Sequence, residues 1–172
     1  MNRLILVDEQ DTALGTAEKM EAHEKALLHR AFSVFIFNSK GEMLLQQRAH
    51  EKYHSAGLWT NACCSHPYQG QDTQVAAEKR LQEEMGFTTA LTKAFEFIYK
   101  AAFENGLTEY EYDHVFVGKY DGPVIPDKEE VAGFCFKSME QVEAVVKQYP
   151  EQYTAWFKIA LPKLEAYLAK QQ

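Results

Sequence analysis

The sequence predicts an α+β or mixed α/β sandwich. Three features point there: strand-type apolar runs closed by tight turns, helical spacings set between them, and connections of both hairpin and crossover type. With 172 residues, 46% hydrophobic and 13% aromatic, the chain suits a single domain over residues 1–172 with a sizeable core.

Leu4-Ile5-Leu6-Val7 reads as a first strand, and Asp8-Glu9-Gln10-Asp11 turns it into a second short extended piece ending near Gly15 and Thr16. Residues 18–28 are mixed and polar, a short helix and a loop that carry Lys19 and His23. His29–Phe37 is an apolar run of strand type; the turn Asn38-Ser39-Lys40-Gly41 closes it and Met43–Arg48 answers it as a hairpin. A polar loop with His50, Lys52 and His54 then delivers the chain into a strand over 59–64. Asp72 is placed to N-cap a helix over Thr73–Met85 that Gly86 stops. Within it Ala77, Leu81 and Met85 recur at helical spacing and face the core, with Arg80 and Glu84 as an adjacent stripe. Strands are expected at 87–91 and 95–103, then, after Glu104-Asn105-Gly106, at 107–120. Glu109 and Glu111 share a face of that last strand, because side chains alternate with period two. Asp121-Gly122-Pro123 and Pro126 break the pattern before a final strand over 132–136. Ser138 with Gln141 forms a capping box for a helix to about residue 148, and a terminal helix over 154–169 carries Trp156.

Composition narrows the function. A net charge of −7 with no Lys/Arg run argues against nucleic acid, yet leaves room for an anionic small molecule held by a few local cations. Three cysteines, two of them adjacent, make a poor disulfide framework, and the apolar start is too short for a signal peptide. No apolar stretch approaches the roughly 20 residues that span a bilayer. The expectation is a soluble protein of the reducing cytosol with no membrane partner.

The stretch that organises the rest is Leu58-Trp59-Thr60-Asn61-Ala62-Cys63-Cys64-Ser65-His66-Pro67. It sets a thiol two residues from an imidazole at a strand end, where ladder hydrogen bonds hold reactive groups rigid. Cys64 and His66 project on one face and Cys63 on the other. The plain alternative is two small cysteines filling a core beside an ordinary loop histidine.

His23, His29, His66, Glu109 and Glu111 stand where strands begin or pair. Together they offer five nitrogen and oxygen donors, suited to a six-coordinate divalent ion such as Zn, Mn or Mg with one position left for water or substrate. Singly, each histidine is more commonly structural and the glutamates more commonly a solvated face. Two acids on one side of a buried strand nevertheless need positive compensation. Lys19, Arg48, Lys52 and Arg80 are ordinary surface cations unless they converge; converged, they make a diphosphate clamp, with Glu84 holding a Mg that bridges phosphate oxygens. Trp156, more often a core residue, would stabilise a passing cation if it faced the site. No pattern gives His50, His54 or His114 a role.

The stretches Leu27-Leu28-His29-Arg30-Ala31-Phe32-Ser33-Val34-Phe35, Trp59 to Pro67, and Glu109-Tyr110-Glu111 resemble type I isopentenyl-diphosphate isomerases, which have the Nudix fold. Their order and separation match over roughly residues 3–160. The resemblance implies a Nudix-type mixed β-sheet packed between α-helices, with additional N-terminal strands. It implies metal ligation by His23, His29, His66, Glu109 and Glu111, and catalysis by Cys64 and Glu111, with Tyr99 hydrogen-bonded to the glutamate. Lys19, Arg48, Lys52 and Arg80 match substrate-contacting positions, Trp156 would lie against the cation, and Glu84 matches a ligand of the diphosphate-bound Mg. Aligned on Glu83-Glu84-Met85-Gly86, the chain departs from the hydrolase box: Ser65 stands for its first Gly, Gln71 for its first Glu, and Lys79-Arg80 for its Arg-Glu pair. That departure weighs against the first rival, a Nudix-type diphosphate hydrolase. The second rival is a binding module with a structural metal. The expected partner is a small isoprenoid diphosphate, and the expected assembly a monomer or homodimer.

Overall fold

A computed structural model describes residues 2–171; the ends of the expected 1–172 domain, Met1 and Gln172, lie outside the described residues. Nine strands form one mixed sheet around β3 (His29–Phe37). Eight of the nine β3 residues are buried, which explains why its sequence is a continuous apolar run rather than an alternation. One edge of β3 pairs in parallel with β8 (Thr108–Lys119), from His29 opposite Glu111 to Phe37 opposite Lys119. The other edge is shared end to end: β1 (Leu4–Val7) at His29, β6 (Cys63–Ser65) over Phe32 to Val34, and β4 (Met43–Arg48) at Phe37. β2 (Ala13–Ala17) extends β1, β7 (Leu91–Ala102) extends β8, and β5 (Trp59–Thr60) and β9 (Val131–Lys137) flank β4.

Period-two alternation splits the core. Phe32, Val34 and Ile36 face α2 (Thr73–Met85), meeting Ala77, Leu81 and Met85. Phe35 and Phe37 face the other way, into a layer built by Val142 of α3 (Met139–Gln148) and Trp156, Phe157, Leu161 and Leu164 of α4 (Ala155–Lys170). A short helix, α1 (Lys19–Glu24), bridges β2 and β3. The result is the mixed sheet between helices that the sequence implied. Among the described residues no helix is long and apolar enough to cross a membrane.

Three expected elements take a different form. The 29–48 hairpin closes at one residue pair, Phe37 opposite Met43, because β8 and β6 take the edges of β3. The 59–64 strand is cut at Asn61-Ala62, so that β5 pairs with β4 while β6 pairs with β3. The buried Asn61 amide spans the cut, donating to the carbonyls of Val34 at 2.8 Å and Cys63 at 3.0 Å. Residues 87–90 form no strand; Phe87 instead stacks on Tyr120, ring centroids 3.7 Å apart, and the strand begins at Leu91.

Candidate active site

Strand register assembles the acid side of the site. The β3–β8 pairing sets His29 opposite Glu111, and the β7–β8 pairing sets Tyr99 opposite Glu111, so three strands place these residues in one row. Glu109, two residues earlier on β8, shares the face. Tyr99 Oη lies 2.6 Å from Glu109 Oε2 and also contacts Glu111 Oε1. A phenol has one proton to give, so both contacts are hydrogen bonds only if one carboxyl carries a proton of its own. Burial and the neighbouring Glu111 charge push the Glu109 carboxyl well above its ordinary range. Burial would raise Glu111 too, but hydrogen bonds from His29 and His66 outweigh it and hold that carboxyl well below the ordinary range. Of the two carboxyls, Glu109 is thus the more readily protonated.

Three imidazoles ring this pair. His66, just past the end of β6, places Nε2 2.7 Å from Glu111 Oε2, and His29 Nε2 lies 3.3 Å from the same oxygen. His23, on α1, completes a set with His29 and His66 whose ligand atoms all lie within 4.8 Å of one another. The Nδ1 of His23 meets the Lys19 carbonyl at 2.7 Å and that of His29 meets the Leu27 carbonyl at 2.8 Å. In His23, whose Nε2 has no other partner, that contact places the ring proton on Nδ1 and leaves Nε2 as a free lone pair. His23 Nε2 is buried with no hydrogen-bond partner. An orphaned imidazole nitrogen beside two buried carboxylates is costly as a bare site and fits a divalent ion held by these five residues. Burial holds the His66 imidazole down to about 4, in the neutral form a ligand needs.

The thiol lines the same cavity as Glu109, Glu111 and His66. Cys64 pairs with Ser33 across β6 and β3, and Cys63 points into the α2 core with no exposed surface. The Cys64 Sγ–H reaches Asn61 Oδ1 at 3.1 Å, and Trp156 Nε1 donates to Sγ at 3.1 Å. Trp156 is delivered there because Thr154, the α4 N-cap, bonds Thr60 Oγ1 of β5 at 3.0 Å. Burial, and secondarily the charge of Asp113, push the Cys64 thiol up.

Four cations share the cavity wall. Lys19, Arg48, Lys52 and Arg80 line the same cavity as Cys64, His66, Glu84, Glu109, Glu111 and Trp156, while His23, His29 and Tyr99 stand behind its wall. Partial burial, and then the charges of Lys52, Arg48 and Arg80, hold the Lys19 ammonium below the ordinary lysine range. That repulsion is what an anion would relieve. Arg80 Nε donates to Glu84 Oε2 at 2.6 Å, the other Glu84 oxygen accepts from Gln46 Nε2 at 3.0 Å, and Lys52 pairs with Glu130. Arg48 lies over the Trp156 ring, 5.2 Å from its centroid. The cavity so formed holds about 50 Å³.

Two residues here had no role in the sequence reading. Glu130 links Lys52 and Arg80, with Arg80 Nη2 at 3.1 Å. His54 is buried 2.8 Å from Glu109 Oε1. A polar loop has no periodicity, so nothing local marks His54; the one available signal is that its loop joins β4 and β5, both of which feed the site.

The chain is similar to known proteins over nearly its whole length. A NUDIX domain match covers residues 27–157. Isopentenyl-diphosphate Delta-isomerase 2 of Photorhabdus laumondii is 50% identical over 155 residues, 90% of this chain and 88% of that protein. Isopentenyl-diphosphate Delta-isomerase of Serratia proteamaculans is 48% identical over 163 residues, 95% of this chain and 91% of that protein. Among solved structures, the MutT protein of Methanosarcina mazei Go1 superposes with a TM-score of 0.68 at 18% identity, covering 84% of this chain and 96% of its own. A MutT Nudix hydrolase of Burkholderia pseudomallei gives 0.63 at 17%, covering 78% and 96%. At those identities the structures speak for the fold alone.

Proposed function

The chain belongs to the NUDIX family and, within it, to the isopentenyl-diphosphate Delta-isomerases, and from that membership we propose how its site moves the double bond. The reaction interconverts isopentenyl and dimethylallyl diphosphate. The observation that carries the reading is one cavity lined by the Cys64 thiol, by the Glu111 carboxyl with Tyr99 bonded to it from behind, and by four cations. The degraded hydrolase box argues in the same direction. Arg80 stands where that box has an acid and spends its charge on Glu84.

An unactivated alkene is a very weak base, so its acid must be strong, fixed and dry. Protonation of the terminal alkene carbon uses the π pair to form a C–H bond and leaves the positive charge on the tertiary carbon. Loss of a C2 proton returns a pair to the C2–C3 bond. One proton enters and one leaves. Glu111, oriented by Tyr99, serves one side of the substrate and Cys64 the other, and each turnover moves one proton between them through the substrate. Trp156 presents its ring to the cation, worth about 2 kcal/mol when desolvated. His23, His29, His66, Glu109 and Glu111 hold a divalent ion, Mn, Mg or Zn, which when bound supplies the positive charge that lets both buried carboxyls ionise and polarises Glu111. Lys19, Arg48, Lys52 and Arg80 hold the diphosphate, and Glu84 the Mg that travels with it.

Cys64→Ala is expected to cut isopentenyl diphosphate turnover by roughly 10²–10⁴-fold with metal content and melting temperature preserved. Cys63→Ala, on the opposite face of β6, keeps most of it. Full turnover in the Cys64 variant contradicts this mechanism.

A further inference from the structure

His54 has the features of a ligand and none of a satisfied core histidine. It lies on the loop between β4 and β5, with 2% of its side chain exposed. Its ring is stacked on Phe103 at 8° and 4.6 Å and set edge-on to Trp156 at 5.8 Å. That packing fixes the ring plane. Nδ1 meets Ser55 Oγ at 3.2 Å, while Nε2 is buried without a hydrogen-bond partner, although Glu109 Oε1 is 2.8 Å away. The close approach is off the line a hydrogen bond requires. Two imidazole nitrogens are orphaned in this wall, His54 Nε2 and His23 Nε2. With a Glu109 oxygen they form a second group whose donor atoms all lie within 4.8 Å of one another.

His23 belongs to both groups, yet its Nδ1 is committed to the Lys19 carbonyl. Nε2 therefore has one lone pair and serves one ion. The two groups share His23, so a single ion held by its Nε2 faces donors of both.

Resting on the metal reading above, we propose that His54 Nε2 is the sixth donor to that ion, giving a shell of four imidazole nitrogens and two carboxylate oxygens. The five-donor set leaves one position for water or substrate; His54 fills it. The ion then acts through Glu109 and Glu111 and carries no exchangeable water. A fourth nitrogen also biases the site toward Zn or Mn and away from Mg, which prefers oxygen and retains waters.

The test needs no turnover. The full-length protein, stripped with chelator and reloaded with one equivalent of Mn, is prepared with ¹⁵N-labelled histidine and examined by pulsed EPR. The proposal requires four coordinated imidazole nitrogens in the unsubstituted protein, which depends on no variant folding. Chelator-competition titrations with Zn should show affinity at least 10-fold weaker in His54→Ala and His54→Gln, the loss typical of even an outer partner of a metal ligand. One ion with three imidazoles, two ions per chain, or an affinity changed less than twofold overturns the sixth ligand and leaves the five-residue site standing. A protein that takes up no divalent ion overturns both.

Discussion

One phenol sits between two carboxyls in the resting site. Tyr99 has a single proton and touches Glu109 and Glu111, and of the two carboxyls burial and the neighbouring charge push Glu109 up while hydrogen bonds hold Glu111 down. An ion needs both carboxylates free, so loading must expel any proton that Glu109 holds. Glu109 is raised above its ordinary value, hence affinity for the ion should climb with pH and level off once Glu109 ionises unaided. Calorimetry in buffers of different ionisation enthalpy should find proton release on ion uptake that falls as pH rises, and less release in Glu109→Gln. Unchanged proton release in that variant would place the proton elsewhere. At this scale the sequence was informative about identity and silent about state. The proximity of Cys64 to His66 and the shared face of Glu109 and Glu111 follow from strand periodicity. The direction in which the thiol and the two carboxyls are shifted depends on burial and on partners far away in the chain.

Elements whose signals are local were legible, and those governed by pairing were not. The helix α2 reads directly, from Asp72 accepting the Val75 N–H to Gly86 at φ 78°. The capping box of α3 likewise appears as read, with Ser138 and Gln141 bonded in both directions. By contrast, β3 resembles half of a hairpin in sequence, yet its edges go to β8 and to three short strands in turn. A period-two pattern tells which face is buried but not which partner takes the edge. Gly86 shows how tightly α2 is seated, since a Cβ there would fall 2.4 Å from the Ile125 carbonyl oxygen. Gly86→Ala should cost about 2–4 kcal/mol, combining left-handed strain with displacement of that backbone. Urea unfolding checks this: a lower midpoint with an unchanged slope is expected, and no shift would mean that the 120s loop gives way freely. Because α2 carries Arg80 and Glu84, the same variant should weaken substrate binding more than Cys63→Ala does.

In the whole molecule, a sheet buried on both faces brings two chemistries to one cavity from distant parts of the chain. β3, β7 and β8 supply the acid row and His29, α1 supplies His23, the end of β6 supplies the sulfur and His66, and α4 supplies the indole. The α+β sandwich could be anticipated from strand runs and helical spacings set between them, and the extra N-terminal strands from the family resemblance. The convergence of Lys19, Arg48, Lys52 and Arg80, and the entry of His54 into the wall, are products of tertiary packing that no local pattern encodes. The central claim is that the cavity delivers a proton to one end of an alkene and removes one from its neighbour. The most direct measurement is incubation of the metal-loaded protein with isopentenyl diphosphate in deuterated water. Deuterium carried into a methyl group of dimethylallyl diphosphate, with the diphosphate intact, is the predicted result; free phosphate without isomerised product, or isomer with no deuterium, would contradict it.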